Sequence, residues 1–172
     1  MSKAVVKEFK KILVPTDYSD LSLAAVEYAL SFSRVVGASL YLLHALDTIP
    51  VLVLEDVDLT TERVICETEK NARSDLHHFV SSKIGDIPKL SEVVRTGVAE
   101  DEIVKFAKEE NIDLIVMATH GRNGLLHTLM GSVAEKVIRR SPVPVLAVNP
   151  ETLNVSDVSK DDLKEHSEFV QR

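Results

Sequence analysis

The sequence of 172 residues contains one cysteine, Cys66. A lone thiol excludes an intrachain disulfide and any multi-cysteine metal site, so a reducing compartment is natural. No apolar run approaches the roughly 18 residues that span a membrane. The start, MSKAVVKEFKKILVPTDYSD, has lysines but no apolar stretch followed by a cleavage site. The expected location is therefore the cytoplasm. Positive charge is also short: Lys and Arg number 20 against 27 Asp and Glu, a net charge of −7. That balance argues against non-specific binding to nucleic acid or to an anionic membrane. Two phosphate-binding devices are missing. The turn after the first apolar run, PTDYSDLS, has no glycine, which excludes the dinucleotide fingerprint. No glycine-lysine-hydroxyl sequence occurs, which excludes a P-loop.

What is present is an alternation of short apolar runs with helical patterns. KKILVPTD (10–17), SLYLLHAL (39–46), KLSEVVRTG (89–97), DLIVMAT (113–119) and PVPVLAVNP (142–150) read as five strands. The fourth is continuously apolar, as expected when helices cover both sheet faces. Between them, Leu21, Ala24, Ala25, Tyr28, Ala29 and Phe32 repeat at helical spacing, with Ser19 to cap the helix and Gly37 to stop it. Further helices are expected over 60–85, 98–112 and about 131–140. Strand–helix alternation of this kind predicts an α/β fold: a three-layer open parallel sheet with right-handed crossovers. The domain is expected to span residues 1–149, and DTIPVLVLEDVDLT (47–60) is an irregular connection. The acidic tail, 150–172, could form a short helix from Ser159; it is expected to fray, with packing of Leu163 and Phe169 on a neighbour as the other reading.

The connection between the fourth strand and the last helix is unusual. MATHGRNGLLHTLMGS is much longer than the roughly two to six residues of a plain crossover. It carries glycines at 121, 124 and 131 and returns to a helix start at Gly131-Ser132. A helix start presents unpaired N–H groups and the positive dipole end, which suits a phosphate. In an open parallel sheet, ligands bind outside the carboxyl ends of the strands. Here those ends carry Pro15-Thr16-Asp17, His44-Ala45-Leu46 and Met117-Ala118-Thr119. GRNG matches the loop of KH RNA-binding domains. However, a KH loop joins two helices, and this one follows a strand in an acidic chain.

The pattern that fits is Ala118-x-x-Gly121, nine residues, then Gly131-Ser132. This resembles the universal stress protein family, whose nucleotide-binding members carry G-x-x-G-x9-G-[ST] after the fourth strand. The resemblance covers roughly residues 8 to 149, including KILVPTDYSDLS, LLHAL, DLIVMATHGRNGL and GSVAEKVIRRSPVPVLAV. It implies strand order 3-2-1-4-5, as in adenine nucleotide α-hydrolase-like folds, ATP with Mg²⁺ as ligand, and a homodimer through the last strand, Val143 to Val148. Carried over by motif position, Asp17 faces the ribose or metal side. Pro15, Thr16 and Ala45 line adenine and ribose, while Met117, Gly121, Gly131, Ser132 and Val133 surround ribose and phosphates. Arg122 is a candidate to neutralise phosphate. Ala118 replaces the first motif glycine, and the expectation is a methyl group added near the phosphates.

The remaining candidates read as structural. His120 and His127 have no identifiable orienting partner for base catalysis. His77 and His78 lie about 16 Å along a helix from Cys66, too far for one metal site. Arg139 and Arg140 complement the dipole at the end of their helix. IPVLVL (49–54) reads as core or dimer contact before a lid. No residue is assigned as catalytic, so fast hydrolysis is not expected and slow hydrolysis stays open. The resulting expectation is a nucleotide-responsive dimeric regulator. The alternative is a dimeric interaction module of the same fold that binds no nucleotide. An adenylating ligase of the related α-hydrolase group is disfavoured by the glycine-free first turn.

Overall fold

The computed structural model describes residues 8–47, 60–119 and 130–149. Its elements are β1 (Lys11–Pro15), α1 (Asp20–Val36), β2 (Ser39–Leu46), α2 (Thr60–Phe79), β3 (Leu90–Thr96), α3 (Ala99–Glu109), β4 (Leu114–Ala118), α4 (Ser132–Arg140) and β5 (Val145–Val148). The strands form one sheet in the order β3-β2-β1-β4-β5, and every pairing is parallel.

Side chains alternate between the two faces along each strand, and two apolar cores result. Ile12, Val14, Leu40, Leu42, Leu114, Val116 and Ala118 pack under α1 and α2, against Ala25, Val26, Ala29, Leu76 and Phe79. Leu13, Leu43, Ile115 and Met117 pack under α3 and α4, against Ile103, Phe106, Ala107, Ala134 and Val137. All five residues of β4 are buried because both of its faces are covered.

Local chemistry sets the element ends. Ser19 caps α1 by accepting from the Ser22 N–H at 3.1 Å. Gly37 ends α1 in the left-handed conformation, φ 72°, which glycine adopts without a side-chain penalty. The expected single helix over 60–85 divides: α2 stops at Phe79, and Val80–Ile84 form a π-helical turn closed by the Gly85 N–H on the Val80 carbonyl. The last strand starts at Val145 instead of residue 142. Pro142 and Pro144 have no N–H to donate, and the Ser141 side chain instead bonds the backbone of Val143. The first strand ends at Pro15, the residue expected to close it. The expected lid or contact at 49–54, the tail at 150–172, and His120 and His127 lie outside the described residues. Among the described residues no helix is long and apolar enough to cross a membrane.

Candidate functional site

The sheet opens where its order reverses. The ladder between β1 and β4 consists of Ile12↔Leu114 and Leu13↔Ile115. Both strands continue beyond it, β1 to Pro15 and β4 to Ala118. Each stays paired on its other side. Pro15 faces Leu43 of β2, and the Thr16 N–H donates to the Leu43 carbonyl at 2.8 Å. Ala118 faces Val148 of β5, and the Thr119 N–H donates to the Val148 carbonyl at 2.8 Å. The sheet thus divides into a β1–β2 side and a β4–β5 side, with a crevice between them at the carboxyl ends.

One side of the crevice is filled. Tyr18 stacks on His44 with ring centroids 4.2 Å apart, and Phe79 lies 5.5 Å from Tyr18. His44 Nδ1 lies 2.9 Å from the Thr16 carbonyl. A carbonyl only accepts, so Nδ1 carries the proton. Tyr18 holds a left-handed backbone, φ 66°, which is uncommon for a non-glycine residue. Its hydroxyl donates to the Ala72 carbonyl of α2 at 3.3 Å. This aromatic cluster occupies the α1/α2 face. Ala45, Met117, Met130 and Val133 pack on the opposite, α3/α4 face. Pro15 shares that face by its alternation with Val14.

The first turn is a compact hydrogen-bonded unit. Asp17 Oδ1 accepts from the Ser19 N–H at 3.1 Å and from the Ser19 hydroxyl at 2.5 Å. The Thr16 hydroxyl is buried, lies 2.9 Å from the Ser22 hydroxyl and accepts from the Tyr18 N–H. Thr16 keeps its hydroxyl inside the turn, while its N–H and carbonyl are engaged by Leu43 and His44. Asp17, two residues past the end of β1, fastens the start of α1.

Across the crevice, the Gly131 N–H donates to the Thr119 carbonyl at 2.7 Å. This bond joins the two ends of the long connection, so α4 starts at the lip of β4. Gly131 is the N-cap and has no side chain to offer. Ser132 is the first helical residue and not the cap, because the Gly131 carbonyl already accepts from the Glu135 N–H at 3.0 Å. Helix geometry leaves the N–H groups of Ser132, Val133 and Ala134 without an intrahelical acceptor. Such a start favours an anion. Ala118 is the last residue of β4 and is buried with the α1-side core cluster. Gly121 and Arg122 lie outside the described residues.

Several contributors were not foreseen. Glu100, in the first turn of α3, is 8% exposed and receives a 2.7 Å bond from Lys136 of α4. That bond, with help from its own backbone N–H, holds the Glu100 carboxyl below its ordinary range. The two residues are 36 positions apart in sequence, and nothing in either local pattern links them. The His44–Tyr18 stack was equally invisible, since it joins two strand ends. Arg139 and Arg140 pair with Glu135 at 2.6 Å and Asp101 at 2.5 Å, and His77 pairs with Glu92 at 3.1 Å. Among the described residues no three His, Cys, Asp or Glu side chains gather as a metal site.

The comparisons with known proteins agree with this architecture. The profile of the universal stress protein family matches residues 8–149. Universal stress protein MJ0531 of Methanocaldococcus jannaschii is 36% identical, over 81% of this chain and 82% of its own length. Universal stress protein MJ0577 of the same organism is 30% identical, over 81% and 94%. The solved structure of MJ0577 superposes with a TM-score of 0.68 at 31% identity, covering 83% of this chain and 97% of that one. A universal stress protein solved in complex with cAMP superposes with a TM-score of 0.63 at 26% identity, covering 83% and 99%. With the profile spanning most of the sequence and the sheet order matching these structures, the chain belongs to the universal stress protein family.

Proposed function

We propose that this chain binds an adenine nucleotide, ATP together with Mg²⁺, in the crevice between β1 and β4, and that binding regulates a cytoplasmic dimer in a stress response. The observation that carries the reading is the parting of β1 and β4 beside a helix start that no side chain of its N-cap can satisfy. The cAMP complex of a similar protein supports an adenine nucleotide as the ligand class.

In this reading the base and ribose rest on Pro15, Ala45, Met117 and Val133, whose side chains share the α3/α4 face. The Tyr18–His44 stack closes the other face. The Thr16 backbone lines the β1 lip, and Asp17 turns its carboxylate toward the ribose or metal side. The first-turn N–H groups of α4 and the Ser132 hydroxyl meet the phosphates. Gly121 and Arg122 complete the phosphate side by motif position. Mg²⁺ keeps several waters and takes one or two carboxylates plus substrate phosphates. A single carboxylate at the strand end, Asp17, fits that demand without a protein cage. When bound, the metal neutralises phosphate charge. The reading is binding without fast turnover: Asp17 Oδ1 is engaged by Ser19 and is poorly placed to serve as a general base.

The dimer is proposed through β5, which among the described residues pairs with β4 alone and lies at the sheet edge. Leu146 on this strand is 39% exposed. An edge strand with apolar exposure is a template for pairing with another chain.

Titration calorimetry with ATP, cAMP and GTP, with and without Mg²⁺, tests the ligand. Adenine nucleotides are expected to bind in preference to GTP, and Ser132→Asp to weaken ATP by at least about tenfold through like-charge repulsion at the helix start. A folded protein that takes up no adenine nucleotide at millimolar concentration would favour the interaction-module reading.

A further inference from the structure

α4 is short, and its start is where phosphate binding is proposed. Three fastenings set its position. The Gly131 N–H is bonded to the Thr119 carbonyl, Ala134 and Val137 are buried against the sheet, and two ion pairs tie the helix to α3. The two pairs differ. Arg140 and Asp101 are both about half exposed, at the end of α4 away from the crevice. Glu100 is nearly buried, its side chain 11% exposed, while its Lys136 partner, one turn after Ser132, is 55% exposed. A carboxylate this far from water needs a partner, and Lys136 supplies it from a half-exposed position on α4. An ionic contact with one solvated member is weak support for stability alone. Its place, between the helix that starts at the crevice and its neighbour, suggests another use.

We propose that Glu100 is a positioning residue: through Lys136 it fixes the start of α4, and so the place where the first-turn N–H groups meet phosphate. The phosphate part rests on the nucleotide reading above. The positioning part does not. Glu100 itself is placed against α4 and not in the crevice.

The test uses the full chain as wild type, Glu100→Gln and Lys136→Arg, with circular dichroism to establish folding. Glu100→Gln keeps the side-chain shape and removes the charge, and Lys136→Arg keeps the pair. ATP and adenosine are titrated against each protein. ATP affinity is expected to fall about five- to tenfold in Glu100→Gln, as for a displaced anion-binding helix start. Adenosine, which has no phosphate, is expected to bind as it does to wild type, and Lys136→Arg to retain both affinities. Amide hydrogen exchange is followed without ligand. Exchange at Gly131 and Glu135 is expected to quicken several-fold in Glu100→Gln. Exchange at Ile112, bonded to the Ala107 carbonyl at the far end of α3, is expected to hold. Unchanged exchange at Gly131 and Glu135, or equal losses for ATP and adenosine, would overturn the proposal. A wild-type protein that binds neither ligand would refute the nucleotide reading instead, and the exchange result would then decide the positioning role alone.

Discussion

Ala118 stands where the nucleotide-binding motif has glycine, and its methyl group is buried beneath α1. The alternation of β4 explains this: Met117 faces α3 and α4, so its neighbour faces the other core. Ala118→Gly should therefore leave nucleotide affinity within about twofold while lowering stability by about 1–2 kcal/mol, from a lost buried methyl and added backbone freedom. Urea unfolding beside a binding titration checks both halves. A gain in affinity would show that the methyl group does reach the phosphates. The helix start at Gly131-Ser132 was legible in the sequence, because a glycine and a hydroxyl at a helix start have local chemistry. The direction of the Ala118 side chain was not, since it depends on the phase of the strand relative to two packed faces. The hidden Thr16 hydroxyl was missed for a similar reason. Its partner, Ser22, belongs to the next helix.

At the scale of elements, strand and helix order followed from apolar periodicity, and boundaries failed where prolines or turns intervened. PVPVLAV reads as a strand from residue 142, yet proline carbonyls without matching N–H groups delay the ladder until Val145. The division of the long helix at Phe79 has no visible signal in residues 60–85. The α3–α4 contact was illegible because it joins charges on separate helices. It has a pH consequence. The ordinary Glu100 value of 4.5 is lowered by the Lys136 bond, with its own backbone N–H adding and burial, then Asp101, opposing. A carboxyl with a folded value below its unfolded value adds stability that is fully present above the unfolded value. That stability is lost as pH falls through the folded value. Glu100→Gln should thus lower the melting temperature near neutrality and shrink its fall between neutral pH and pH values below 4.5. Thermal melts across that range check it. A mutant whose acid limb parallels the wild type would remove Glu100 as a contributor.

Among the described residues, the molecule is a five-stranded parallel sheet whose β1 and β4 part at their carboxyl ends and whose β5 lies at an edge. If β5 pairs with its counterpart in a second copy, Leu146→Lys should convert a dimer to a monomer of unchanged fold, read by sedimentation and circular dichroism. A wild-type monomer at tens of micromolar would instead remove the dimer from the account. The central claim is that the uncapped start of α4 receives nucleotide phosphate across the crevice. A thermal melt with and without Mg-ATP, of wild type and Ser132→Asp, tests it most directly. Ligand at about a hundred times its dissociation constant should stabilise the wild type by roughly 2.7 kcal/mol, a rise of several degrees at this chain length. The account predicts that rise in the wild type and its loss in Ser132→Asp. An equal rise in both proteins would place the nucleotide elsewhere, and no rise in the folded wild type would contradict nucleotide binding itself.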